Sequence, residues 1–171
     1  METSEAATFR IEAVTGQLLI SPIGTMRRAR EFFDASEFLR QQSDHFSPVG
    51  GFLACRAVEL SLKAFLRARG VEWSDVRAFG HDIARLLVET HIYGIDHFLI
   101  LSPEDRDLLC SISNDYSGQR WAYFDIQWAF VSGVAPDPAA LGALAGRIVA
   151  SLESVCETRT TGDGSPLVAA P

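Results

Sequence analysis

Lysine is almost absent from the sequence, in which Lys63 stands alone against fourteen arginines. The three cysteines, Cys55, Cys110 and Cys156, are far apart and odd in number, and each lies in an apolar helical pattern. This arrangement argues against a disulfide framework and predicts reduced, buried thiols, and no pair of them has the spacing of metal ligands. The sequence also shows no apolar run long enough to span a bilayer, no signal-like N-terminal segment and no glycine-rich phosphate loop. These absences predict a cytoplasmic chain with no membrane segment, no bound metal and no cofactor.

Acidic residues outnumber basic ones, and this limits what the surface can bind. The chain has 171 residues, 47% of them apolar, and its net charge is -7. That length and composition fit one folded domain, with a core large enough to need no covalent cross-links. Because an acidic surface repels nucleic acid, contact with RNA would require a local patch of positive charge.

Apolar residues recur at helical spacing through most of the chain. The clearest helix start is the run Ser-Pro-Glu-Asp at residues 102–105, which offers a cap, a proline and two acids. Thr25 is the predicted cap of the first helix, and residues 71–80 are predicted to form a connector. The pattern predicts helices over residues 26–42, 48–70, 82–92, 103–116 and 139–156. We therefore expect an all-α fold, an up-down bundle of about five helices.

The flanks of the predicted bundle differ from it in composition. Residues 1–24 form an N-terminal arm, in which weak alternation over 9–23 also fits a small hairpin. Residues 25–157 form the bundle, and the small polar residues of 158–171 predict a disordered tail. Residues 120–131 are aromatic and β-prone. They can cover the bundle as an extended segment or pair with the arm in a minor sheet.

An ordered series of short motifs runs from the second predicted helix into the fourth. In chain order these are A-V-E-L-S-L-K-A-F-L at 57–66, Gly70, G-H-D-I at 80–83, Leu86 and Leu87, and then Leu109, Asn114, Asp115, Tyr116 and Arg120. The series resembles the HEPN domain (higher eukaryotes and prokaryotes nucleotide-binding) over residues 26–125. That family often shows an A-x-E-x-x-L-K-A-x-L helix, a glycine and then H-D-L-x-x-L-L.

The resemblance implies a four- or five-helix up-down bundle that is commonly dimeric. Many members are RNA-cutting toxins or RNA-binding modules of defence systems, often with a nucleotidyltransferase partner. Catalytic members place an arginine and a histidine four to six residues apart near the start of a late helix, where the histidine moves protons and the arginine holds phosphate. Here no histidine follows Arg120. The pairs Arg40–His45 and Arg85–His91 have a matching spacing, but neither lies in the late helix, and chance explains both more simply.

Two functional hypotheses follow from the missing late histidine. The first is a HEPN-like binding or assembly module without the standard ribonuclease motif, in a defence or toxin–antitoxin setting. The alternative is a divergent metal-independent ribonuclease that recruits His81 or His91 together with Arg120. The catalytic residues, if there are any, stay open at this point. RNA and a nucleotidyltransferase-type or other protein are the expected partners.

Six polar residues in the region of resemblance are the candidate RNA- or nucleotide-binding residues: Glu59, Lys63, His81, Asp82, Tyr116 and Arg120. Each has a structural alternative. The four-residue spacing of Glu59 and Lys63 fits a solvated intrahelical pair as well as a polar cleft at a dimer interface. His81 and Asp82 can cap a helix or contact a base. Tyr116 can serve as a core anchor and Arg120 as an ion-pair partner, or both can bind an anion or RNA.

Five of the twelve residues at 120–131 are large aromatics, more than one edge of a domain this size needs. An exposed apolar patch of this kind usually marks an interface, and a two-fold pair buries the same patch on both chains. We therefore expect a homodimer. The alternative is that the segment folds back over its own bundle.

Overall fold

The structure is a computed structural model, and it describes residues 21–42, 45, 47–118, 121 and 135–157. Within these residues the helices are α1 (Pro22–Gln41), α2 (Pro48–Ala68), α3 (Trp73–Ala78), α4 (Ile83–Ile92), a short 3-10 helix (Ile95–His97), α5 (Pro103–Ser117) and α6 (Pro138–Glu157). No strand occurs in the described ranges. The predicted all-α bundle is confirmed.

The first helix begins earlier than predicted. Ser21 caps α1, its Oγ accepting a hydrogen bond from the backbone nitrogen of Gly24 at 3.1 Å, and Pro22 occupies the first turn. Proline suits this place because its fixed φ is helical and its missing N–H would have no partner there. The predicted start at residue 26, with Thr25 as the cap, was wrong. Thr25 lies inside the helix, where it is buried and donates its hydroxyl to the carbonyl of Ser21.

The centre of the bundle is α2. It packs most extensively on α1 and α6, and also contacts α3, α4 and α5. Every residue from Ala57 to Leu66 is buried. A helix enclosed on all sides must place its polar residues in the interior as well as its apolar ones. This is why Glu59, Ser61 and Lys63 are all buried.

The segment that leads from α2 to α5 is more helical than predicted. Residues 71–80, expected to be a connector, contain the short helix α3. Asp82 caps α4, its Oδ1 accepting from the backbone nitrogen of Arg85 at 2.9 Å, so the predicted capping role is confirmed. At the start of α5, Ser102 and Asp105 form a reciprocal capping box, as the sequence signal indicated.

Several predictions fall wholly or partly outside the described residues. Residues 1–20 and 158–171 are outside, so the arm and the tail stay predictions. Residues 22–24, which were assigned to the arm, belong to α1. Of residues 120–131 the structure describes Trp121 alone, which is buried. The minor sheet and the aromatic interface are therefore also untested.

The cysteines and the last helix require two further corrections. Cys55 and Cys156 are buried free thiols as predicted, but Cys110 is exposed on α5.

Among the described helices, α6 is long and apolar enough to cross a membrane, although Arg147 and Glu153 break its apolar run. A share of 44% of that stretch is buried inside the protein, and the core helices of bundles are often equally long and apolar.

Candidate functional site

The polar residues inside α2 converge on one carboxylate. Glu59 is completely buried, and donors from three parts of the chain hold its two oxygens. Lys63 Nζ lies 2.6 Å from Oε1, and Arg56 Nη1 lies 3.0 and 2.9 Å from Oε1 and Oε2. His81 Nδ1 lies 3.0 Å from Oε2, to which the hydroxyl of Tyr116 also donates. These five residues are called the Glu59 cluster below.

The loop before α4 is tied to the same cluster through Lys63. The ammonium of Lys63 donates a second hydrogen bond, of 2.5 Å, to the backbone carbonyl of Gly80. Gly80 has a φ of 59°, in the left-handed region that glycine adopts without strain. The turn at Gly80 therefore brings His81, the next residue, against Glu59, although the two are 22 positions apart in sequence.

Burial and the surrounding donors act in opposite directions on the carboxylate. Burial alone would raise the pKa of Glu59, but hydrogen bonds from Lys63, Tyr116 and His81 and the charge of Lys63 outweigh it and hold the pKa below its usual range. Burial and the adjacent carboxylate raise the pKa of Tyr116, so its phenol keeps its proton. Burial and the charge of Glu59 likewise raise the pKa of the nearby Cys55 thiol, which makes it a poor nucleophile.

The hydrogen-bond pattern determines which nitrogen of His81 carries the proton in the neutral ring. A carboxylate can only accept, so Nδ1 donates to Glu59 and Nε2 keeps a lone pair. Arg56 Nη1 lies 3.3 Å from the same Nδ1, and the ring meets Tyr116 edge-on at 5.8 Å between centroids. The His81 side chain is 41% exposed and that of Arg56 27%, whereas Glu59 is at 0%. The cluster thus has a buried anionic centre and a cationic, half-exposed edge.

Four of the six candidate residues are brought together by the fold: Glu59, Lys63, His81 and Tyr116 belong to the cluster. The solvated-pair alternative for Glu59 and Lys63 was wrong, because both are buried. Tyr116 is a core anchor, 2% exposed. Asp82 is next to His81 in sequence, but its hydrogen bonds are to residues outside the cluster. It caps α4 and accepts a hydrogen bond of 3.2 Å from Ser113.

Arg56 was not among the predicted site residues, and Arg120, which was among them, lies outside the described residues. A signal for Arg56 existed: it precedes Glu59 by three residues, a spacing that places both on one face of a helix. Arg56 thus contributes a guanidinium to the cluster.

A second polar group lies where α4 meets the 3-10 helix and α5. His91 Nδ1 is 2.7 Å from Asp96 Oδ2, and His91 Nε2 is 3.1 Å from Arg106 Nη1. The hydrogen bond from His91 lowers the pKa of Asp96, and the charge of Arg106 adds to this effect. Since Nε2 accepts from the guanidinium, His91 is engaged on both ring nitrogens.

The two arginine–histidine pairs of suitable spacing have different outcomes. Arg85 does not join His91; its guanidinium lies over the ring of Phe79, 4.9 Å from the centroid. Arg40 and His45 line one pocket, between α1, α2 and α6.

Metal ligands are not grouped in the described part of the chain. There, no set of three or more histidine, cysteine, aspartate or glutamate side chains is placed to hold an ion.

Comparison with known protein families identifies a match. A family model described as HEPN domain matches residues 24–127, more than half of the chain. That range contains the whole Glu59 cluster. No curated protein and no solved structure shows a significant match to the chain.

Proposed function

The chain belongs to the HEPN family, and from this premise we propose that it is a HEPN-type RNA-binding or assembly module without ribonuclease activity. The proposed setting is cytoplasmic, in a defence or toxin–antitoxin system with a nucleotidyltransferase-type or other protein partner. The proposed contact surface for RNA phosphate is the half-exposed edge formed by Arg56 and His81.

The observation that carries this proposal is the charge balance of the Glu59 cluster. Arg56 and Lys63 contribute two positive charges and Glu59 one negative charge, which leaves an excess of one positive charge. The net charge of the whole chain is -7, so a local cationic edge is the feature that RNA binding requires. Arginine suits this edge because its planar fork can donate to two phosphate oxygens at once.

The arrangement also differs from that of catalytic HEPN members, and this difference supports a role without strand cleavage. In those members the arginine and the histidine lie four to six residues apart near the start of a late helix, where the histidine moves protons. Arg56 and His81 are 25 residues apart, the first on α2 and the second directly before α4. Lys63 is buried and engaged with Glu59 and the Gly80 carbonyl. The cluster therefore offers contacts to phosphate in an arrangement that the catalytic motif does not share.

RNA binding by purified variants tests the proposal. Fluorescence anisotropy with single-stranded and hairpin RNA should show weaker binding for Arg56→Gln and His81→Ala. Arg77→Gln, which removes an exposed guanidinium on α3, is the matched control and should bind as the wild type does. Because Arg56 also holds Glu59, circular dichroism of each variant must confirm an intact fold. Equal weakening by all three substitutions would mean that binding is nonspecific.

One observation favours the alternative, a divergent ribonuclease. The buried carboxylate of Glu59 orients His81 through Nδ1 and leaves Nε2 as a base, while the Arg56 guanidinium lies on the Nδ1 side of the ring. Here Arg56 would take the role that the sequence assigned to Arg120. Gel analysis of RNA incubated with the protein separates the two functions. Cleavage that is lost in His81→Ala and kept in His91→Ala would replace the binding proposal with this one.

We also propose, from the sequence, that the chain forms a homodimer through the aromatic residues at 120–131. Trp128→Asp should convert the dimer into a folded monomer, because an unpaired charge is costly to bury. Analytical ultracentrifugation at micromolar concentration measures this. A monomeric wild-type chain would contradict the proposal, and a Trp128→Asp chain that unfolds would place the segment in the core of its own bundle.

A further inference from the structure

The turn between α3 and α4 holds an arginine and an aromatic ring together, close to the half-exposed edge of the Glu59 cluster. The guanidinium of Arg85, in the first turn of α4, lies over the ring of Phe79, 4.9 Å from its centroid. Phe79 is half-buried and packs against the core, whereas Arg85 is exposed. The ring thus covers one side of the guanidinium, and the exposure of Arg85 leaves the other side open to solvent.

Arg85 is held by this ring and not by an acid. Glu89 lies four residues further along α4, at the spacing of an intrahelical ion pair, but the Arg85 guanidinium lies over Phe79 instead. In the part of the chain that the structure describes, this guanidinium forms no ion pair and no hydrogen bond, unlike those of Arg40 and Arg147, which hold carboxylates. Both its charge and its flat outer surface are therefore available to a ligand.

The Arg85–Phe79 pair lies near His81 because the turn that joins them is tight. The backbone nitrogen of Asp82 donates to the carbonyl of Phe79 at 3.2 Å, and the backbone nitrogen of Arg85 donates to Asp82 Oδ1 at 2.9 Å. These two bonds fold the segment that contains His81 into one compact unit. His81 Nδ1 in turn lies 3.3 Å from Arg56 Nη1. The pair and the proposed phosphate edge are therefore neighbours in the fold.

The neighbouring groups offer two different kinds of contact to RNA. Proteins that bind single-stranded RNA combine positive charge along the backbone with aromatic rings or guanidinium planes on which unpaired bases stack. The bases of an A-form duplex are stacked on one another and cannot reach such a surface. Because the net charge of the chain is -7, attraction of phosphate alone is a weak source of affinity. Stacking of a base would supply what the charge does not.

We propose that the Arg85–Phe79 pair stacks on an unpaired base of the RNA whose phosphate contacts Arg56 and His81, so that the chain selects single-stranded RNA. This inference rests on the proposed RNA binding, to which it adds the base-contacting residue and the class of RNA. Arg85 makes the contact through its plane, which a lysine lacks. Phe79 is a positioning residue that supports the guanidinium from below.

Fluorescence anisotropy of the full chain with three probes tests the stacking contact: a short single-stranded RNA, the same strand without its bases, and a duplex of equal length. The wild type should bind the single strand best. Arg85→Lys keeps the charge but removes the plane, so it should weaken binding of the single strand about fivefold or more and leave binding of the abasic strand unchanged. Phe79→Leu should have the same pattern. Arg28→Gln, at an exposed position of α1, should leave the preference for the single strand unchanged.

Arg56→Gln separates a failure of this inference from a failure of the proposed function, because it should weaken binding of the single strand and of the abasic strand alike. If it does so while Arg85→Lys binds each probe as the wild type does, the stacking contact is wrong and the phosphate edge stands. Equal affinity of the wild type for the single strand and either other probe would also overturn the inference. Absence of binding to all three probes would contradict both proposals. If Phe79→Leu unfolds by circular dichroism, Arg85→Lys decides, since that side chain is exposed.

Discussion

Replacing Glu59 by glutamine should destabilise the protein more than replacing Lys63 by methionine, although the two residues form one ion pair. The reason is that the cluster is asymmetric. Glu59 accepts from Arg56, Lys63, His81 and Tyr116, so its loss affects four donors at once. Removing Lys63 leaves the carboxylate with three donors.

The burial of the partners sets the magnitudes. In Glu59→Gln the Lys63 ammonium, with only 9% of its side chain exposed, loses its counter-charge. An uncompensated buried charge costs about 3–5 kcal/mol. In Lys63→Met the carboxylate keeps the charge of Arg56, and the losses are a hydrogen bond to a charged group, about 1.5–3 kcal/mol, and the bond to the Gly80 carbonyl. Because total stabilities are about 5–15 kcal/mol, the first change removes a large share of the stability.

Urea unfolding of the full chain at pH 7, followed by circular dichroism, measures these differences as shifts in the midpoint at constant slope. Glu31→Gln on the exposed face of α1 is the control for loss of a carboxylate, and its effect should stay within about 0.5 kcal/mol. The double variant Glu59→Gln/Lys63→Met should cost less than the sum of the single variants, because the buried ammonium is no longer stranded.

A loss of stability in Lys63→Met as large as that in Glu59→Gln, or larger, would contradict the asymmetry of the cluster. Strict additivity in the double variant would also refute it, since additivity means that the two side chains do not interact.

Three further predictions concern pH, capping and a turn. The low pKa of Glu59 means that its contribution to stability is complete above the unfolded value of about 4.3 and is lost as the pH falls through the folded value. Urea midpoints between pH 7 and pH 3 should therefore fall more steeply for the wild type than for Glu59→Gln. Ser102→Ala removes the capping box of α5 and should cost about 1 kcal/mol in the same assay. Gly94→Ala should lower the melting temperature more than Gly80→Ala. Both glycines have positive φ, but only at Gly94 would the new Cβ meet a neighbour, His97 Cδ2 at 3.2 Å.

Helix positions were largely predictable from the sequence, because caps and prolines act locally. The capping box at Ser102 and the cap at Asp82 need no tertiary context. The start of α1 was missed for a local reason too: Thr25 is a permissible cap, but Ser21 followed by proline is the stronger signal.

The burial of Glu59 could not be predicted in the same way. A Glu–Lys pair four residues apart has the same sequence pattern on an exposed helix as on an enclosed one. The number of helices that surround α2 decides whether the pair is buried, and this number depends on contacts between residues far apart in sequence. Arg56 was missed for the same reason, since three residues on one helix face become a cluster only when His81 and Tyr116 are placed beside them by other parts of the chain.

The distances along the chain within the Glu59 cluster have a consequence for how the bundle assembles. Glu59 and Lys63 can pair as soon as α2 forms, but the hydroxyl of Tyr116 comes from 57 residues further on. The hydroxyl reaches the carboxylate only when α5 is docked in its native register. Rotating α5 by one residue turns its side chains by about 100° and withdraws the hydroxyl. Contacts of apolar neighbours such as Leu109 and Ile112 are less directional, and a slipped helix would affect them less. The buried carboxylate therefore raises the free energy of bundle forms in which α5 is docked in another register.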